Sequence, residues 1–324
     1  VKTFWLLLLF FPFTALHSYT IAFVHIGKDI PDYTTVSLIQ AARFNPEAEI
    51  VFLANRASLE SFSLPDEPNI SSYPLEKLPI SKDHATFRKN SQKRAESFQN
   101  FWIYTIERFF FLGAYIREKK LSQIIHLEND VLVYKDFSHY LPILDEKYAT
   151  LAVTFDNDQR CIPGILYLKH SHSLDALLHF IATRCQLFSN DMKLIADYKN
   201  ATSDEKIDYL PIVPAEYCDY HPLTNLLDDT TTTPEKYSNF IDLLEGVFDA
   251  AALGQYLGGT DPRFNGPGPG FVNESCLFDP SYFNFFWKED DQGRMIPFLE
   301  FEGKETAIFN LHIHCKDLWK FATY

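Results

Sequence analysis

The chain has 324 residues, 46% of them hydrophobic, which is enough to bury one large core or two modest ones and excludes a disordered protein. A formal net charge of −14 argues against a broad surface for nucleic acid or anionic membrane, since both are held by an excess of Lys and Arg. The five cysteines form no CxxC pair and are odd in number, so neither a zinc module nor a complete disulfide framework is indicated.

At the N-terminus Lys2 precedes the apolar run Phe4 to Leu16, and small or polar residues follow around Ala15 and Ser18. This is the layout of a signal peptide, and the run is shorter than the ~20 residues of a spanning helix. Residues 1–18 are therefore expected to lead the chain into a secretory route, a bacterial envelope or the lumen of the endoplasmic reticulum and Golgi. Left uncleaved, they would act as a signal anchor and associate the protein with a membrane. Residues 19–324 read as a single domain.

Tyr19 to Ile26 reads as a strand ending at Gly27, Thr34 to Phe44 as a helix and Glu49 to Ala54 as a second strand. Such a βαβ unit crosses over right-handed, which puts both strands in one parallel sheet. No GxGxxG follows the first strand, so a dinucleotide site is not supported. Asn69, Asn200 and Asn273 each open an N-x-Ser/Thr acceptor pattern for N-glycosylation. Phe101 to Ile116 predicts a helix that is apolar almost all round, with Glu107 and Arg108 as exceptions, and a buried Arg needs an anion.

Ile124 to Leu127 and Val131 to Tyr134 are two short apolar runs split by Glu128-Asn129-Asp130. Two acids in the bend at a strand's carboxyl end lie where open α/β sheets bind ligands. Hard oxygen ligands of this kind suit Mg²⁺ or Mn²⁺, which can bridge two phosphates; acids also cap ordinary turns. Further strands are expected over Leu151 to Phe155 and Gly164 to Lys169, with a helix over Leu174 to Thr183. Asn190-Asp191 precedes another helix, where it reads equally as a cap. Leu226 to Pro234 reads as a surface loop; the Ala- and Gly-rich run from Asp249 to Asp261 permits close approach of backbones or of a ligand, and Asp261 to Gly270 suits a shaped loop. In the tail, alternation puts Asn310, His312 and His314 on one strand face, followed by Lys316. Two imidazoles so placed suit Mn²⁺ better than Mg²⁺, and Lys316 can meet a phosphate as a point charge.

With Glu128-x-Asp130, Asn190-Asp191 and His312-x-His314-x-Lys316 in this order, the chain resembles the GT-A superfamily of nucleotide-sugar glycosyltransferases, with features similar to the glycogenin-like branch, from about Tyr19 to Trp319. The resemblance implies an α/β, GT-A type Rossmann-like fold, a mostly parallel central sheet flanked by helices. It implies a metal site of Glu128, Asp130, His312 and His314, with Glu128 standing where the family's Asp-x-Asp signature has Asp. The tail spacing is shorter than the family's and lacks its glycine, so which of the two histidines binds metal stays open. His25, Ile26 and Gly27 would cradle the nucleotide base, and Arg108 would face the diphosphate or an acid of the triplet. Lys316 would grip the diphosphate. Asp191 would steady the sugar if the enzyme retains configuration, whereas Asp249, Asp261 and Glu274 are candidate bases if it inverts; Gln255 and Asn273 are further partners for sugar hydroxyls. The implied reaction is a Mn²⁺- or Mg²⁺-dependent transfer, with a hexosyl group expected, from a nucleoside diphosphate sugar to a hydroxyl of a glycan, protein or lipid. The alternative is a non-catalytic protein that binds carbohydrate or nucleotide sugar on the same fold. A nucleotidyltransferase would bring a Gly-rich basic loop after the first strand, and none is present.

Overall fold

The computed structural model describes residues 18–91, 101–185, 190–225, 227–264 and 266–324. The run Phe4 to Leu16, which carries the secretory and membrane expectations, lies outside them, as do Ser189, Leu226 and Asn265. Among the described residues no helix is long and apolar enough to cross a membrane.

The strands are β1 (Tyr19–His25), β2 (Ala48–Ala54), β3 (Ile70–Pro74), β4 (Ser122–Leu127), β5 (Val131–Val133), β6 (Leu151–Asn157), β7 (Arg160–His170), β8 (Asp208–Tyr209), β9 (Leu223–Thr224), β10 (Thr231–Thr232), β11 (Gly246–Val247), β12 (Asn284–Glu289), β13 (Met295–Phe301), β14 (Lys304–Ile308) and β15 (Asn310–His312). The helices are α1 (Tyr33–Phe44), α2 (Arg56–Ser61), α3 (Lys82–Ser91), α4 (Phe101–Lys119), α5 (Leu141–Lys147), α6 (Asp175–Arg184), α7 (Asp191–Asn200), α8 (Ala215–Tyr220), α9 (Ile241–Leu244) and α10 (Ala252–Gly258).

Among the described residues the central sheet has seven strands in the order β3-β2-β1-β4-β7-β6-β8. Only β7 runs against the rest; β1 pairs in parallel with β2 and β4, β2 with β3, and β6 with β8. The molecule is thus an α/β protein with a mostly parallel sheet flanked by helices, as the sequence predicts.

Strand alternation explains the two-sided cover. Ile21, Phe23, Ile50 and Phe52 enter one core with Leu38 and Ala41 of α1, whereas Ala22, Val24, Val51 and Leu53 enter another with Ile106, Phe109 and Phe110 of α4. Helix α4 is buried from Ile106 through Ile116, which is why its sequence is apolar all round.

A second sheet, β11-β14-β13-β12, gathers the C-terminal third of the chain. Directly after it, β15 pairs antiparallel with β5 beside the acid bend. The expected surface loop from Leu226 to Pro234 carries exposed residues and β10, which pairs with β9 just before the loop.

Two glycosylation expectations fail on burial. The Asn69 amide is buried and donates to the carbonyls of Ala42 (3.3 Å), Asn45 (3.1 Å) and Ala48 (3.1 Å), and Asn273 is buried as well. Asn200 alone of the three is exposed. Among the described residues Cys161, Cys218, Cys276 and Cys315 form no disulfide.

Candidate metal centre

The bend at the end of β4 is held from two sides. Ser37 Oγ donates to the carbonyls of Asn129 (2.8 Å) and Val131 (2.9 Å), and Gln40 Nε2 to that of Val133 (2.9 Å). On the other side the Glu128 N–H donates to Gly164 of β7 (2.9 Å). Ser37 and Gln40 are polar residues on the buried face of α1, three apart. That pattern was the signal, unread in the sequence, that α1 tethers backbone as well as packing.

The tail completes the arrangement. In the β15–β5 register His312 lies opposite Val131, and the Ile313 N–H donates to the Asp130 carbonyl (2.9 Å). His312 Nε2 then stands 3.1 Å from Glu128 Oε2 and 3.2 Å from Asp130 Oδ1. One ligand atom from each of the three lies within 4.8 Å of the others. Two glycines make room for this approach. A Cβ on Gly254 would stand 2.1 Å from the His312 carbonyl oxygen, and one on Gly164 would stand 2.8 Å from His312 Nδ1. The small residues before Asp261 therefore serve close backbone approach.

The strand ends at His312, opposite Val131, where its partner strand begins after the bend. Lys316 then turns at a left-handed φ of 64°, and its N–H donates to the Ile313 carbonyl (3.1 Å). The ammonium contacts Asp130 Oδ2 and lies 5.7 Å from the centre of the Tyr33 ring. On the opposite flank Arg108 contacts Glu128 and reaches Asp191 Oδ2 at 2.9 Å.

Three acids and three nitrogen bases thus meet in a mostly buried cluster, and each shifts the others. Burial alone would raise the Glu128 carboxyl, but Arg108 and the His312 hydrogen bond win and hold it down at about 2. Asp130 is likewise buried yet held well below the usual carboxylate range by Lys316 and His312. Burial disfavours the charged His312 ring, but Asp130 and Glu128 outweigh it and raise it to about 10. For Asp191 burial prevails over Arg108, and its carboxyl is raised.

Glu128, Asp130, His312, Lys316, Arg108 and Asp191 are therefore brought together. His25 lies beside the bend, with Nδ1 3.4 Å from Asn129 Nδ2, and Ile26 packs partly against the core next to it. Gly27 has φ 143° and is pinned by Asn55 (3.0 Å) and Ser58 (2.6 Å). Asn190 caps α7 through Lys193 N (2.8 Å), while its neighbour Asp191 turns inward to Arg108.

Three expected site residues stand apart. His314 is not one of the converging ligands: its ring packs edge-on against His312 with centroids 4.4 Å apart, and its Nδ1 is engaged by Gln255 at 2.8 Å. Asp249 is fully buried and accepts N–H groups from Leu253 (2.9 Å), Gly254 (2.9 Å) and His312 (2.8 Å). It caps α10 and fixes the tail, so it is not open to take a proton from an acceptor. Glu274 is exposed and makes no hydrogen bond or ion pair among the described residues. Asp261 pairs with Arg263 (3.0 Å), and both act on Tyr33, whose hydroxyl is pushed up to about 12 by burial and by Asp130. The sequence reading missed Asp156, a fully buried acid 3.2 Å from Arg160 that burial raises to about 7. The apolar pattern ends the expected strand at Phe155, whereas β6 runs on through Asn157.

The residues present fit a divalent ion. Two carboxylates and one imidazole converge, a donor set that suits Mn²⁺ or Mg²⁺, and the nitrogen favours Mn²⁺.

No family model and no curated protein matches the chain. Among solved structures it is similar to mouse xyloside xylosyltransferase 1 in its apo form, at 12% identity over 62% of this chain and 90% of that one, with a TM-score of 0.39. It is also similar to the glycosyltransferase GlyE of Streptococcus pneumoniae TIGR4 (14% identity, 59% of this chain, 45% of that one, TM-score 0.37). A third likeness is to the galactosyltransferase LgtC in complex with donor and acceptor sugar analogs (15% identity, 62% and 77% coverage, TM-score 0.34). At such TM-scores the likeness is weak, and the functional reading is built on the geometry of the site.

Proposed function

We propose that residues 19–324 form a single GT-A type domain that catalyses metal-dependent transfer of a sugar, a hexose by expectation, from a nucleoside diphosphate sugar to an acceptor hydroxyl on a glycan, protein or lipid. The observation that carries this reading is the convergence of Glu128, Asp130 and His312 at the carboxyl end of β4, the edge of a mostly parallel sheet where ligands bind.

In this reading Glu128, Asp130 and His312 hold Mn²⁺ or Mg²⁺, which when bound supplies the positive charge that stabilises a leaving diphosphate. Lys316 exchanges its contact with Asp130 for the diphosphate and adds a charge placed in advance of the reaction. Arg108 pairs with both Glu128 and Asp191, and Asp191 steadies the donor sugar if the enzyme retains configuration. The end of β1, at His25, Ile26 and Gly27, lies beside the bend and offers the place for the nucleotide base. The secretory destination expected from Phe4 to Leu16 belongs to the same proposal.

The test is a panel of sugar nucleotides assayed for nucleotide release with and without Mn²⁺. Metal-dependent release from one donor supports the reading; binding without turnover across the panel would leave a carbohydrate-binding protein in its place.

A further inference from the structure

His314 stands at the rim of the cluster, and its hydrogen bonds fix what its ring can do. They begin at a group of unambiguous polarity. The backbone N–H of Ser275 donates to Asn273 Oδ1 (3.1 Å), and Ser275 Oγ donates to the same oxygen (2.7 Å). That end of the Asn273 amide is therefore its carbonyl, and its NH₂ faces the other way, donating to Gln255 Oε1 at 3.0 Å. The Gln255 NH₂ in turn lies 2.8 Å from His314 Nδ1. An amide NH₂ can only donate, so Nδ1 is the lone-pair nitrogen and the ring proton sits on Nε2.

This chain is buried and closed at its far end. Gln255 and Asn273 are 5% and 8% exposed. Ser275 Oγ meets Arg160 and Asp156 Oδ2 (3.4 Å), and the Ser275 carbonyl accepts from Asn157 Nδ2 (2.7 Å). Nε2 of His314, by contrast, has no hydrogen-bond partner among the described residues, and the residue is partly exposed. An unpaired N–H therefore stands beside the His312 ring.

We infer that His314 is a hydrogen-bond donor to an anionic oxygen of a bound phosphate group, held in its Nε2–H form by the Ser275–Asn273–Gln255 chain, and is not a metal ligand. A phosphate oxygen is an acceptor with full or partial negative charge, the complement of a preset N–H next to a lysine. Gln255 and Asn273 are positioning residues, acting through the ring. The identity of the ligand rests on the proposed nucleotide-sugar reading, whereas the polarity of the chain does not.

Two measurements test it. The imidazole ¹⁵N signals of His314, identified by their loss in His314→Gln, should show a protonated Nε2 and a bare Nδ1. Asn273→Asp, of the same shape, should reverse them, because a carboxylate forces the Gln255 amide to flip and present its carbonyl to Nδ1. Calorimetry with inorganic pyrophosphate and Mg²⁺ should then show His314→Leu weakening binding by roughly tenfold to a hundredfold. His314→Gln, which keeps a donor, should fall between it and the native protein, and Mn²⁺ alone should bind all three equally. Protonated Nδ1 in the native protein, unchanged pyrophosphate binding in His314→Leu, or loss of Mn²⁺ as complete as in His312→Ala would each overturn the inference. A native protein that binds Mg²⁺ but no pyrophosphate would sink the phosphate role and the nucleotide-sugar reading together, and the ¹⁵N signals would still judge the proton's place.

Discussion

The two flanks of the acid pair use the same chemistry in different surroundings. Arg108 comes from the middle of α4, its side chain only 9% exposed and shared between Glu128 and Asp191. Lys316 comes from a turn in the tail, 23% exposed, and among the described residues pairs with one acid, Asp130. A cation shared by two buried acids cannot leave without stranding both, so the Arg108 flank is scaffold. A partly exposed ammonium on a flexible stem can exchange one anion for another, so the Lys316 flank is where a ligand can enter.

The largest effect separating the flanks is expected from Arg108→Leu. It leaves Glu128 and Asp191 buried without their cation and should cost about 3 to 5 kcal/mol of stability, read as a lower urea midpoint at unchanged m-value. A midpoint like that of the native protein would show that the flank is not scaffold. Asp130→Asn comes next. It should weaken Mn²⁺ by roughly a hundredfold or more, since losing a ligand exceeds the ten- to hundredfold loss of an outer partner, and abolish sugar transfer; calorimetry and the nucleotide-release assay check both.

Lys316→Ala should sharpen the contrast from the other side. Stability should fall less than in Arg108→Leu, because His312 still faces Asp130, and Mn²⁺ binding should be retained, while kcat falls more than KM rises. A large loss of stability would make Lys316 a second Arg108. A separate test of the tail concerns pH. The folded His312 is raised from 6.5 to about 10, burial being outweighed by Asp130 and Glu128, so its contribution to the metal-free protein is complete below 6.5 and lost as pH rises through 10. The urea midpoint of the metal-free protein should therefore fall across that window, and less so in His312→Gln. Mn²⁺, which needs the deprotonated ring, should bind more tightly as pH rises through the same window.

Legibility in the sequence followed the same division. The βαβ unit, helix α4 and the bend at Glu128 and Asp130 were readable because each is a local pattern of a dozen or so residues, and the buried Arg108 announced its need for an anion. Asp249, expected as a candidate base, and His314, expected as a metal ligand, are both engaged by hydrogen bonds that no local pattern reveals, Asp249 to the backbone of α10 and His312, His314 to Gln255. Asp156 escapes the sequence because a polar residue just past an apolar run gives no local sign that the strand continues through it.

The sequence by itself determined the parallel sheet and which acids stand at the end of β4, since period-two apolar patterning and chain-local turns need no distant partner. Only the tertiary structure decided which histidine faces those acids. That choice depends on the β15–β5 register across 181 residues from Val131 to His312, on a strand that stops where its partner begins, and on Gly164 and Gly254 leaving space for one ring and one carbonyl. A one-residue slip in that register would turn His312 to the other face of the strand, and no count of residues along the chain reveals it.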